Sequence, residues 1–486
     1  MSSEDSPRPG ARAPRGFVDR RGPALQIERR LLAAVSSVYE SYGFEALDTG
    51  AFEYADALGK FLPDADRPNE GVFALRDDDD QWLALRYDLT APLARYAAQN
   101  WGDLPKPFRR YAVGPVWRNE KPGPGRYRQF IQCDADTVGS DRPEADAEII
   151  AMALAGYAAA GLARGSVTIR INDRNLLNGV LAANDIDHPG QRLAALRAAD
   201  KLDRLGPGGV ADLLGAGRLD ESGAFTSGAQ LPARAIDAIL AFLAAGRGAR
   251  GPTLDAISTV IGRSQEGDKG LEALARLGAA LDRLGVSEDE ALIEPSIVRG
   301  LEYYTGAVFE AELRPNGVSA TDFGAIGGGG RYDDLIARFS GERIPATGFS
   351  FGVSRIAAAL AMSEAAGPPP RGPVVVLALD PQLMGEYFAM ATELRAAGLA
   401  AEVYLGVAGM RAQMKYADRR LAPAAVILGE DEFAKGLVTI KDLDLGRVLA
   451  VGVRDNAAWR EERPGQVTLG RSDLVAEVRR ILGAAP

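Results

Sequence analysis

Val116-Trp-Arg-Asn-Glu-Lys-Pro-Gly-Pro-Gly-Arg-Tyr-Arg-Gln-Phe-Ile-Gln-Cys-Asp-Ala-Asp136 decides how the chain is read. Two strand-like runs flank a turn, Lys121-Pro-Gly-Pro-Gly125, so the segment is a β-hairpin. Side chains alternate across a strand. Arg118 and Glu120 therefore share a face of the first strand, and Phe130, Gln132, Asp134 and Asp136 share a face of the second. A face that carries a guanidinium, carboxylates, an amide and one ring makes a poor core. It suits an anionic nucleotide: guanidinium for phosphate, ring for a base, carboxylate for an amine. Taken alone, such a hairpin is more readily a solvated sheet face laced with cross-strand ion pairs.

Outward from the hairpin, the chain from about Gly71 to Val138 reads as an antiparallel sheet. Its short runs are Phe73-Ala-Leu-Arg, Trp82-Leu-Ala-Leu-Arg and Arg110-Tyr-Ala-Val-Gly. Before it, Leu31, Val35, Val38 and Tyr42 recur at helical spacing within a helix from about Leu25 to Tyr42, with Gly43 as its stop. A strand is expected at Phe44 to Leu47. After the hairpin come an alanine-rich helix, Glu144 to Ala159, and a strand, Ser166 to Ile171. Residues of about 174–290 are mostly helical, with breaks at Gly206-Pro-Gly-Gly and Gly246-Arg-Gly-Ala-Arg-Gly. Strand character returns at Val308 to Leu313, ahead of a Gly-rich stretch, Gly324 to Gly330. A helical block thus interrupts a sheet domain of residues 16–364, behind a polar lead-in, 1–15, that is expected to be disordered. The Pro/Gly linker 365–373 separates it from residues 374–486. There strands at Val374 to Leu379, Ala401 to Leu405 and Ala424 to Gly429 alternate with helices at Met384 to Ala397 and Gly409 to Leu421. That alternation predicts a small α/β domain with a mainly parallel sheet.

Composition narrows the chemistry. With 486 residues the chain needs two or three domains. It has one cysteine, Cys133, and one histidine, His188, in unrelated segments. An internal disulfide, a zinc site of several Cys or His ligands, a Cys–His dyad and a Ser–His–Asp triad are all ruled out or implausible. Any metal must take oxygen ligands, which favours magnesium. His188 reads as structural or as a surface residue. The net charge of −10 means that nucleic acid, if bound, meets local basic patches on an acidic body. No apolar run is long enough to span a bilayer, and the N-terminus lacks the apolar core of a signal peptide, so a cytoplasmic protein is expected. There is no GxxxxGK[ST] loop, and the GxGxxA at Gly206 lacks a preceding strand, so neither a P-loop nor a Rossmann site is supported.

The hairpin resembles motif 2 of the class II aminoacyl-tRNA synthetases, and Gly125-Arg-Tyr-Arg-Gln-Phe130 with Gln132 resembles the form found in the histidyl-tRNA synthetase family. Further matches follow in order. Tyr42-Gly-Phe-Glu45 resembles motif 1 at the dimer interface. Arg86-Tyr-Asp-Leu-Thr90 resembles the loop that holds the substrate amino group. Ile297-Val-Arg-Gly-Leu-Glu-Tyr-Tyr304 and Gly328-Gly-Gly-Arg-Tyr332 resemble the two histidine-specific motifs. Thr347-Gly-Phe-Ser-Phe-Gly-Val-Ser-Arg355 resembles motif 3, and the block with Val426-Ile-Leu-Gly-Glu430 resembles the anticodon-binding domain. The resemblance covers nearly the whole chain from about Pro14.

It implies an α+β class II catalytic domain with a helical insertion and a C-terminal α/β domain. It also implies a homodimer, with ATP, L-histidine and tRNA(His) as substrates and Mg2+ as cofactor. Histidine and ATP give histidyl-adenylate and pyrophosphate, and the terminal ribose of the tRNA then takes the histidyl group. By resemblance, Arg118 and Arg299 hold the α-phosphate and are the catalytic residues, while Arg126 and Arg355 contact the outer phosphates. Glu120 accepts from the adenine amine and Phe130 stacks on its ring. Asp88, Leu89, Thr90, Gln132 and Asp136, with Arg118 and Arg299, bind histidine, and Tyr303, Tyr304 and Tyr332 line the imidazole pocket. The chemistry agrees, since an ammonium wants carboxylates and an imidazole wants aromatic walls with a few polar partners. No protein base stands out; a substrate phosphate oxygen can take the proton.

The chain departs from the pattern in places. Gly50 stands where motif 1 usually has proline, giving up a fixed φ. Glu302 stands where aspartate is common, and Asp88 and Asp136 resemble the eukaryote-like branch. The motif 2 turn meets the tRNA acceptor end, where an extra 5′ guanosine is a common identity element in the family. Apart from Lys121 this turn has few side chains to read a base, so weak dependence on that guanosine is expected. Arg411, Lys415 and Arg419 share a helix face, which is a solvated face in general and a candidate for phosphate contacts in an anticodon-binding domain. The rival reading is a regulatory paralogue, like the regulatory subunits of ATP phosphoribosyltransferase. Those lack the C-terminal domain and have degraded motifs.

Overall fold

The computed structural model describes residues 10–57, 71–123, 127–219, 223–298, 303–314, 324–362, 371–450 and 465–483. The chain divides into two units, Met1–Ala366 and Gly367–Pro486, close to the expected linker. The linker's first residues and the lead-in up to residue 9 lie outside the described residues.

The first unit is built on an eight-stranded sheet. In chain order its strands are β1 (Glu45–Ala46), β2 (Phe108–Trp117), β3 (Gln129–Val138), β4 (Val167–Asp173), β5 (Ala291–Ile293), β6 (Ala307–Leu313), β7 (Gly327–Arg331) and β8 (Ala346–Phe351). They lie side by side as β1-β2-β3-β8-β7-β6-β4-β5. The two end pairs, β1 with β2 and β5 with β4, are parallel, and the rest are antiparallel. The long β2–β3 pair is the expected hairpin, with Val116 opposite Phe130 and Arg110 opposite Asp136.

Alternation along these strands gives the sheet two unlike faces. Cys133 and Ala135, Phe349 and Phe351, Phe309 and Ala311, Ile169 and Ile171 point into one core. Two helices cover that side. The first, α1 (Pro23–Ser41), packs through Leu31, Val35 and Tyr39, and Tyr42 and Gly43 end it as the spacing predicts. The second, α2 (Pro143–Ala159), buries Ile149, Ile150, Met152 and Ala153. Its alanines let it lie close to the sheet, and Tyr157 reaches the Phe349 and Phe351 rings. The other face carries Gln132, Asp134 and Asp136 on β3, Gly348 and Ser350 on β8, Gly328 and Gly330 on β7, Glu310 on β6 and Arg170 on β4. At one end Phe108, Val138 and Ala346 on this face pack against Leu93 and Ala97, but the polar residues beyond them cannot form an apolar core, so that stretch is the place for chemistry.

The helical block lies between β4 and β5. Its helices run from Arg174–Ala182 to Gln265–Arg283, with a small hairpin, Gly217–Leu219 with Phe225–Ser227. Gly206, read as a break, has a non-helical backbone at φ 66° and ψ 175° and separates two helical runs within Leu202–Leu214. His188 caps the Pro189–Ala199 helix, its Nδ1 accepting from the Gly190 N–H at 3.2 Å, which agrees with a structural surface role.

The second unit has a five-stranded sheet in the order Ala401–Val403, Val374–Val376, Ala424–Ile427, Leu437–Asp442, Gln466–Gly470. Only the first two pairings are parallel; the last two are antiparallel. The sheet is therefore mixed, not mainly parallel. The two added strands escape the sequence reading because they follow the last clear strand–helix alternation.

Candidate active site

Strand alternation and one helix start assemble a cavity on the polar face of the first sheet. It is lined by Asp88, Thr90, Arg118, Gln132, Asp134, Asp136, Tyr303, Tyr304 and Tyr332, with Gly328, Gly329, Gly348, Phe349 and Ser350 as its floor. The floor is low because the strands supply glycine. A Cβ on Gly348 would sit 1.9 Å from Asp136 Oδ1, so glycine at that position keeps the carboxylate in place.

Asp88 stands at the start of the Thr90–Asn100 helix, and its Oδ1 accepts from the Thr90 and Ala91 N–H groups at 3.1 and 2.9 Å. These bonds fix the carboxylate as a cap does, with the helix N-terminus favouring its charge. Leu89, expected to touch histidine, is buried and does not line the cavity; its carbonyl accepts from Arg110 Nη2 at 2.9 Å. Asp136 Oδ1 accepts from the Tyr332 hydroxyl, and its Oδ2 lies 2.9 Å from Arg110 Nη2. The rings of Tyr303, Tyr304 and Tyr332 form one wall, with Tyr303 5.0 Å from Tyr304 and 5.8 Å from Tyr332. Burial raises the hydroxyl pKa of all three, so they stay protonated and can donate.

Arg118 lies just past the end of β2. Its guanidinium carbon is 4.3 Å from the Tyr87 ring centre and 5.0 Å from that of Phe130. The expected adenine-stacking ring is thus also an arginine platform, with one of its two faces against the guanidinium. Glu120, on the same turn, has its carbonyl held by Arg128 Nε at 2.9 Å. Lys121 is exposed. Arg355 sits exposed in the first turn of the Val353–Met362 helix, donating from Nη1 to the Ala325 carbonyl. Arg126 and Arg299, and Glu302 beside them, lie outside the described residues. Arg411, Lys415 and Arg419 are all exposed along the Met410–Arg419 helix of the second unit.

Two buried residues escape the sequence reading, one in this site and one beside it. Arg110 is fully buried and ties the Asp88–Thr90 segment to Asp136. The signal was present: a hairpin folded symmetrically about Gly123 pairs Arg110 with Asp136. Arg331, inside the Gly328–Tyr332 motif, points the opposite way from Tyr332, as neighbours on a strand must. Its Nε and Nη2 donate to Asp146 Oδ2 at 3.1 and 2.8 Å, Nη2 also donates to the Arg142 carbonyl, and Nη1 donates to the Ser140 carbonyl. A larger cavity of about 360 Å³ lies beside that pair. None of the expected ligand-binding residues lines it, and the ion pairs Arg276–Glu144 and Arg343–Asp333 sit at its charged wall.

The profile of the histidyl-tRNA synthetase family matches residues 16–356, and that of an anticodon binding domain matches residues 373–479. Over 485 residues the chain is 68% identical to the histidine–tRNA ligase of Caulobacter vibrioides, covering 98% of this chain and 97% of that one. It is 53% identical to the histidine–tRNA ligase of Brucella suis biovar 1, covering 98% of this chain and 96% of the relative. The crystal structure of histidyl-tRNA synthetase from Nostoc sp. PCC 7120 superposes with a TM-score of 0.75 at 28% identity, covering 97% of this chain and 100% of the other. An ATP phosphoribosyltransferase regulatory subunit/histidyl-tRNA synthetase from Bacillus halodurans shares the fold over 84% of this chain and 96% of its own, with a TM-score of 0.66 at 23% identity.

Proposed function

Because the chain belongs to the histidyl-tRNA synthetase family, we propose that it joins L-histidine to tRNA(His) in two steps through histidyl-adenylate. The observation that carries the reading is the cavity in which Asp88, Gln132, Asp136 and the three tyrosines meet beside Arg118. Carboxylates take the α-ammonium, and tyrosines surround the imidazole with rings that keep their protons. Arg118 faces the α-phosphate, where negative charge grows as the histidine carboxylate attacks and pyrophosphate leaves. A fixed guanidinium lowers that barrier because it needs no reorganisation. Arg299 joins it by family resemblance, with Arg126 and Arg355 on the outer phosphates and Glu120 and Phe130 on adenine. In the second step the ribose hydroxyl attacks the histidyl carbonyl, and an adenylate phosphate oxygen takes its proton.

Among the described residues no group of three or more carboxylate, thiol or imidazole side chains converges as a metal cage. By family resemblance magnesium accompanies the ATP substrate, held mainly by phosphate oxygens. No helix of the described residues is long and apolar enough to cross a membrane. A cytoplasmic homodimer is the assembly we propose, on the single cysteine and the motif 1 resemblance of Tyr42 to Glu45. The regulatory-paralogue reading is not favoured, since the chain carries both units and is 68% identical to a histidine–tRNA ligase throughout.

Histidine-dependent ATP–pyrophosphate exchange tests the function, with Arg299→Ala as the inactive control. Absence of exchange in the unaltered protein refutes it. The tRNA side makes a second prediction. Of the motif 2 turn's side chains only Lys121 is suited to read a base, so charging should fall less than about tenfold, or about 1.4 kcal/mol, when the extra 5′ guanosine is removed from the transcript. A loss of a hundredfold or more contradicts this. Arg411, Lys415 and Arg419 are the proposed phosphate contacts of the second unit.

A further inference from the structure

The roles above leave one carboxylate of the cavity unused. Asp134 is 2% exposed and lines the same cavity as Asp88 and Asp136. Its neighbours across the ladder are Ala112 on β2 and Ser350 on β8, so a small apolar residue would fit there without strain. The Ser350 hydroxyl hydrogen-bonds the Asp134 carboxylate and in turn accepts from Gln132 Nε2 at 3.1 Å. Asp134 Oδ1, by contrast, is buried without any protein partner. Leaving a buried acceptor unpaired is costly, so its retention calls for a donor from the ligand.

The three carboxylates differ in what they have left to offer. Asp88 Oδ1 is taken by two backbone N–H groups. Both oxygens of Asp136 are engaged, one by Tyr332 and one by Arg110. Of the buried cavity oxygens without a protein hydrogen bond, Gln132 Oε1 is neutral and Asp136 Oδ2 lies in an ion pair with Arg110, so Asp134 Oδ1 is the charged one left open to a ligand. An ammonium group has three N–H donors to place. The charged groups facing Asp134 are Asp88 from the segment before the Thr90–Asn100 helix, Asp136 from its own strand and Arg110 from β2. Arg118 stands in the wall, the Tyr304 hydroxyl feels the charges of Asp136 and Asp134, and Tyr39 feels Asp134 from the core side. Three carboxylates, Asp88, Asp134 and Asp136, thus converge on one end of the cavity, which suits a cation.

We propose that Asp134 is a further substrate-binding residue whose inward oxygen accepts a hydrogen bond from the α-ammonium of histidine, with Ser350 holding the carboxylate in position. This rests on the synthetase reading and assigns within it a contact that the sequence motifs do not. The empty site has a matching property. Burial, with Asp136 and Asp88 adding and Arg110 and Ser350 opposing, pushes Asp134 up to about 7. A cation beside it draws that value down, so binding releases a proton. Histidine affinity then rises with pH up to about 7 and levels off above.

Histidine-dependent pyrophosphate exchange by the full chain, with histidine binding measured by calorimetry between about pH 6 and 8, tests this. Asp134→Asn should raise the KM for histidine about tenfold or more, move the KM for ATP less than twofold, and abolish the excess pH dependence of the unaltered protein over the variant. Ser350→Ala should act in the same direction, more weakly. An Asp134→Asn protein that binds histidine normally across this range overturns the proposal and leaves the synthetase reading intact. Failure of the unaltered protein to exchange overturns that reading instead. If Asp134→Asn does not fold, Ser350→Ala decides, and an unchanged histidine KM with it overturns the proposal.

Discussion

Arg118→Ala will lower kcat for histidine-dependent pyrophosphate exchange by about 10²–10³ while changing stability little. The side chain is only partly buried and touches the Tyr87 carbonyl, its bond partner at 3.4 Å, and two ring faces, so the fold depends little on it. What it supplies is a cation fixed between Tyr87 and Phe130 before the phosphate arrives. Arg118→Lys should recover little, because an ammonium cannot lie flat between two rings or present a planar fork to phosphate oxygens. Exchange within threefold of the unaltered enzyme would show that the charge acts elsewhere. Pre-steady-state measurement of adenylate formation separates this loss from a change in tRNA charging.

The largest effect on stability is expected at Asp146. Asp146→Ala should destabilise the first unit by about 3–5 kcal/mol, read from urea unfolding. The reason is what the substitution leaves behind. Arg331 is 8% exposed and directs two nitrogens at Asp146, and the aspartate stands on α2 at the edge of the core. Without it a buried guanidinium keeps only the Ser140 and Arg142 carbonyls and a long contact to Asp333. Replacing both partners, Asp146→Leu with Arg331→Met, should cost less than the single change, because no charge is then stranded. A loss under about 1 kcal/mol from Asp146→Ala would mean that water reaches the arginine.

These two arginines mark how far the sequence could be read. The polar face of the hairpin was legible because alternation is a property of any strand, and the cavity does gather Gln132, Asp136, Arg118 and the tyrosines. Gly328-Gly-Gly-Arg-Tyr332 was recognised as a unit, but only the register shows that its arginine and its tyrosine serve opposite faces. Leu89 was carried into the site by its neighbours, whereas its contribution is a carbonyl oxygen, which sequence does not encode. The Gly246 to Gly251 run was read as a break between helices. It is also a joint: Arg250 is buried and donates to the Ser287, Val286 and Ala291 carbonyls, and Arg247 pairs with Glu294 and Glu312. Long-range arginine contacts of this kind leave no local pattern. In the second unit the parallel strands were found because each is followed by a helix. The antiparallel strands, Leu437–Asp442 and Gln466–Gly470, are followed by helices too, but their reversed direction is set by pairing, which leaves no local pattern.

The placement of the helical block limits how the enzyme can be trimmed. β4 and β5 run parallel, with Ala291 beside Ile169 and Ile293 beside Ile171. The chain therefore leaves the sheet at one end, at Asp173, and must re-enter at the other. No tight turn can join two such points; a crossover of a dozen residues or more is the minimum. The inserted helices are thus the crossover itself, grown large. A shortened variant would need a replacement span long enough to return along the sheet, so the block cannot be excised as though it were a loop.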